Sequence, residues 1–185
     1  MYSSVIRNLR TPFAKAVTVA AAVSASLLLP QLFHAIGVLS GTGAAAGSAF
    51  LPMHLPVLLC GFLAGPFAGM IAGMLSPILS FMISGMPAAA ILPFMIIELG
   101  VYGAVSGLLS RTKLNTFLSL VITQAAGRLM RSAAVLISVY AIGNTALTAA
   151  AAYTFILEGL FGVIIQWAVI PGAVKNLEVI KKYYV

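Results

Sequence analysis

The chain has no aspartate, one cysteine and only three acidic residues, all glutamate, among 185 residues. Each scarcity removes a class of proteins. Cys60 has no internal disulfide partner, and no Cys/His cluster falls at metal-ligand spacing. It lies in an apolar run and reads as a small buried hydrophobe. The missing aspartates disfavour most metal-dependent lipid or phosphate chemistry, and no metal or cofactor is expected. Charged residues make up 7% of the chain, against roughly 25% in a soluble domain. That is too few to dress a water-facing surface. No GxxxxGK[ST] phosphate loop occurs, so any ATP-driven step belongs to another chain.

What is abundant is apolar sequence, 62% of the residues. A bilayer span takes about 20 apolar residues, and hydropathy with breaker residues marks six. They run over about 13–29, 50–64, 67–83, 88–109, 114–142 and 150–171, with Pro30 closing the first. The uncharged Gly/Ala/Ser-rich stretch 31–49, which carries His34, follows as a long outer loop. Gly65-Pro66 fits a tight junction, glycine ending one helix and proline opening the next. The second span is short, and Pro52 and Pro56 weaken its start, as in a broken segment covered by protein. The expected fold is an all-α membrane protein, a single six-transmembrane-helix bundle with both termini cytoplasmic.

The net charge of +7 would point to nucleic acid in a soluble protein. Here Arg7, Arg10, Lys15, Arg111, Lys113, Lys175, Lys181 and Lys182 all fall in the segments that six spans place on the N-terminal side. The three opposite loops hold no basic residue, which is the pattern of cytoplasmic orientation. A cleaved signal peptide is the competing reading of the first segment, but its apolar run is longer than a signal core and lies far from a small-residue cleavage site.

Arg128, Arg131, Glu98 and Glu158 lie inside spans. At 1.5 Å per residue, Glu98 is about 15 Å, Glu158 about 12 Å and Arg131 about 16 Å from the outer ends of their helices, with Arg128 a turn deeper. Four charges on three helices thus share one level in the outer half of the membrane. Ionisable groups in a bilayer face the bundle interior, pair, or line a polar cavity. One reading is a structural ion-pair network, and the sharper one is a substrate pocket open to the outside. The two are compatible. His54, near the outer end of the second span, joins the candidates, as do Tyr102 and Thr154, each four residues from a glutamate. Asn144 in the last outer loop is either a ligand contact or a turn residue. Gln124 continues the Arg128 face inward as a candidate interhelical hydrogen bond, and Trp167 reads as an interface anchor.

Small residues recur at spacing four: Ala16 and Ala20, then Gly61, Gly65, Gly69 and Gly73, then Gly103 and Gly107. This spacing lets helix backbones approach closely. Together with the run Pro52-Met53-His54-Leu55-Pro56-Val57-Leu58-Leu59, the stretch Gly65-Pro66-Phe67-Ala68-Gly69 and Glu98-Leu99-Gly100-Val101-Tyr102-Gly103, the chain resembles the substrate-binding S components of energy-coupling factor (ECF) vitamin transporters. The resemblance covers nearly the full length.

It implies a prokaryotic cell-membrane protein that binds a vitamin with high affinity near the outer face, under the 31–49 stretch as a lid. Its partners would be a transmembrane T component, contacted through Ala16 and Ala20, and two ATPase subunits. The vitamin is not implied. Two arginines suit a carboxylate or phosphate and glutamates suit hydroxyls or a protonated ring nitrogen, so pantothenate, niacin, a pyridoxine-like or a pyrimidine compound all fit. A small membrane enzyme using Glu98, Glu158 and His54 as acids or bases and an autonomous secondary carrier are the rival readings. The enzyme would lack any Asp/His motif, and the carrier the usual inverted repeats.

Overall fold

The apolar segments fold as helices, and local signals set their limits. In a computed structural model that describes residues 12–39, 41, 50–157 and 159–184, the described residues form seven helices and no strand. These are α1 (Pro12–Leu39), α2 (His54–Ala64), α3 (Pro66–Ser84), α4 (Leu92–Leu109), α5 (Thr116–Tyr140), α6 (Ala151–Leu157) and α7 (Leu160–Tyr184). α1, α3, α4 and α5 are long and apolar enough to cross a membrane, while α2 and Leu160–Asn176 are apolar but shorter. Arg7, Arg10, Glu158 and residues 40 and 42–49 of the expected lid lie outside the described residues.

The junction read at Gly65-Pro66 is present. Gly65 adopts φ 96°, a backbone state that a side chain would strain, and Pro66 opens α3 where no N–H is needed. Asn115 caps α5, its side-chain oxygen accepting from the Leu118 amide at 2.7 Å.

Three expected limits are corrected. α1 does not stop at Pro30 but runs on to Leu39, so His34 stands on a helix rather than in a loop. A proline fixes a helical φ, and its cost is one lost hydrogen bond and a clash with the preceding turn. The span expected over 150–171 is divided, because Gly159 takes a left-handed φ of 71° between α6 and α7. The Leu51 side chain fills the place of a Cβ there. α7 then continues through Pro171 to Tyr184.

Packing centres on α4. A Cβ on Gly103 would strike the Gly69 backbone of α3, and one on Gly61 would strike Ser106 and the Gly103 carbonyl. Gly73 lies against the Leu99 backbone and Gly107 against Gly65 and Pro66. α2, α3 and α4 therefore meet backbone to backbone. α1 lies outside them through Ala22, Val23 and Ser26, whose hydroxyl donates to the Met53 carbonyl at 3.2 Å. α5 covers the other side of α4, tied to α6 by Ser132 donating to the Ala152 carbonyl at 2.9 Å.

Candidate functional site

Glu98 sits in the second turn of α4, on the face turned to α5. It is 2% exposed. Its Oε2 accepts from Arg131 Nη1 of α5 at 2.7 Å, and its Oε1 accepts from the hydroxyl of Tyr102, one turn on, at 3.2 Å. His54, the first residue of α2, brings Nε2 to 3.8 Å from Glu98 Oε2, beyond hydrogen-bond length. Its ring meets Tyr102 edge-on, centroids 5.4 Å apart. The half-buried Arg128 side chain lies within hydrogen-bonding reach of the Tyr102 hydroxyl. Side chains from α2, α4 and α5 thus form one buried polar cluster.

The packing allows this because α5 has no side chain where Tyr102 needs room. A Cβ on Gly127 would strike the Tyr102 ring. Gly127 lies one turn before Arg131, so the arginine reaches past a ring seated on bare backbone. A buried carboxylate is costly unless it is paired and hydrogen-bonded, and Arg131 with Tyr102 meets both needs.

A second polar layer joins α5 to α7. Gln124, one turn from Arg128, donates to Gln166 Oε1 at 2.7 Å and accepts from the Trp167 indole N–H at 2.6 Å. The reading of Gln124 as an interhelical hydrogen bond holds. Trp167 turns its N–H to Gln124 and sets its ring edge-on against Phe117.

Of the residues singled out from the sequence, His54, Glu98, Tyr102, Arg128 and Arg131 are brought together. Asn144 is engaged locally, with its amide donating to Ser138 Oγ and its oxygen accepting from the Ala146 amide, both at 2.9 Å. Thr154 is exposed and donates to the Ala151 carbonyl one turn back. Glu158 lies outside the described residues. Two residues were missed. Gln166 is the one strongly polar side chain between Leu160 and Val174, a signal present in the sequence. Gly127 carried no signal beyond its spacing from Arg128 and Arg131. Among the described residues, no group of three His, Cys or acidic side chains is placed to hold a metal.

Described residues that are all helical, with four lipid-length apolar helices and a buried charged cluster between them, are those of an integral membrane protein. The family model for the substrate-specific component of ECF transporters matches residues 15–174. The chain belongs to that family and is a substrate-specific S component; S components are the substrate-binding subunits of these transporters. No curated protein and no solved structure matches it.

Proposed function

We propose that the chain captures a small vitamin or vitamin precursor from outside a prokaryotic cell and passes it inward with a T component and two ATPase subunits. It would do so as a six-span bundle with both termini in the cytoplasm. The observation that carries this reading is the cluster in which Glu98, Arg131 and Tyr102 are bonded, His54 adjoins and Arg128 flanks. Intramembrane ionisable groups facing a bundle interior mark substrate sites by default. The basic residues outside the cluster all fall in segments on one side of a six-span topology, which supports the orientation. Ala16 and Ala20 lie on the exposed face of α1, where a close-packing partner helix fits.

Mass spectrometry of small molecules that copurify with the chain in detergent tests the reading. A bound vitamin-sized compound is expected, and turnover of a compound without partners would favour the enzyme instead. Leucine at Ala16 and Ala20 is expected to leave that binding intact and to abolish ATP-dependent uptake in proteoliposomes containing the partner chains. Normal uptake would remove α1 from the docking surface.

A further inference from the structure

His54 differs from its neighbours in the cluster. Glu98 and Tyr102 have protein partners, and Arg131 holds Glu98. The His54 ring is 1% exposed, yet neither Nδ1 nor Nε2 has a hydrogen-bond partner among the described residues. Glu98 Oε2 stands 3.8 Å from Nε2 and is held by Arg131 at 2.7 Å. Buried polar atoms are nearly always satisfied, and a ring with both nitrogens unbonded calls for a cause.

The groups around the ring limit what the cause can be. From α4 the ring faces Glu98 and Tyr102, and from α5 it is approached by Arg131, whose charge Glu98 balances at contact distance. A neutral imidazole carries one N–H donor and one lone-pair acceptor. Glu98 and Arg131 balance each other beside the ring, and Arg128 stands at Tyr102. An uncharged group that both donates and accepts would satisfy the ring.

Resting on the reading of this cluster as the substrate site, we propose that His54 is the specificity-determining contact and takes an uncharged donor–acceptor group of the ligand: a hydroxyl, a carboxamide or a ring lactam. The Glu98–Arg131 pair stays closed and orients that group. This narrows the ligand class. The part buried against α2 is neutral, and any anionic part lies away from the Glu98–Arg131 pair.

Two variants of the full chain test this: His54→Leu, which removes both polar atoms, and His54→Gln, which keeps a donor and an acceptor. The first measurement is thermal unfolding in detergent after ligand has been stripped. His54→Leu is expected to melt within about 2 °C of the parent or above it, since it deletes polar atoms that have no partner. A markedly lower melting temperature would show that the ring is held by the protein or by bound water, and would overturn the proposal. The second is 15N NMR of the ring in a His34→Gln background, where His54 is the remaining histidine. A neutral ring at pH 7 supports the proposal, and an imidazolium bonded to Glu98 overturns it. The third is native mass spectrometry of chains purified without stripping. A bound mass is expected in the parent, at reduced occupancy in His54→Gln and at least tenfold lower in His54→Leu. Equal occupancy in His54→Leu overturns the proposal. A parent chain with no bound mass would count against the substrate site itself, while the melting and NMR results would still decide whether the ring is structurally held.

Discussion

α4 presents two seams that are built in opposite ways. Toward α2 and α3 it offers missing side chains, with Gly103 and Gly107 set against Gly69, Gly61 and Gly65. Toward α5 it offers charge and hydroxyl, with Glu98 and Tyr102 set against Arg131 and Gly127. The first seam is mostly backbone against backbone, with Ser106 the one polar side chain named in it, so little in it can swing aside. In the second, side chains meet, and side chains have rotamers. A rigid three-helix wedge therefore holds one wall of a polar site whose other wall is adjustable. In lipid, helix association gains little from apolar burial and depends on close packing and polar contacts. Each seam uses one of those two.

Substitutions in the two seams should separate them. Gly103→Leu is expected to have the largest effect, because the new side chain meets the Gly69 backbone and the Met70 amide at 2.8 Å. No monodisperse species should survive size-exclusion chromatography in detergent. A well-behaved Gly103→Leu chain would show that the wedge yields.

Arg131→Ala comes next. It strands a carboxylate that is 3% exposed, and loss of one partner from a buried pair costs about 3–5 kcal/mol. The double variant Glu98→Leu with Arg131→Leu should recover most of that in chemical denaturation while failing to bind ligand. If the double variant melts as low as the single one, the pair holds the fold in a way that apolar packing cannot replace.

Gly127→Ala should be milder. It presses on the Tyr102 ring, which can turn, so about 1–2 kcal/mol is expected from overpacking. A loss as large as that of Gly103→Leu would erase the distinction between the seams. Smallest is Gln124→Leu, which removes the partners of Gln166 and Trp167, at about 1 kcal/mol. Trp167 is the sole tryptophan, so its emission should shift when the acceptor of its N–H is lost, and an unchanged spectrum would contradict the bond.

Much of this cluster is legible in the sequence. Glu98 and Arg131 stood out because charge is rare in apolar helices, and Tyr102 because it is one turn from Glu98. Gly65-Pro66 was readable as a junction because each residue has its own backbone reason to be there. What could not be read was pairing. Spacing along one helix fixes which residues share a face, but not which neighbour that face meets. Asn144 and Thr154 had suitable spacing and still turned to Ser138 and Ala151. The seat of Tyr102 on Gly127 joins residues 25 positions apart in sequence and needs the rotation of both helices. Pro30 and Gly159 failed as local signals in opposite directions. The first did not stop a helix, and the second divided a segment whose hydropathy was continuous.

The brevity of α2 has a final consequence. Eleven residues make a helix of about 16 Å, roughly half the hydrocarbon thickness of a bilayer. Its first turn begins at His54, buried beside Glu98, and contains no acidic residue. The aligned peptide dipoles of a helix leave about half a positive charge at its start. That partial charge is delivered to the interior by main chain alone, so no side-chain replacement in the cluster can strip the site of it.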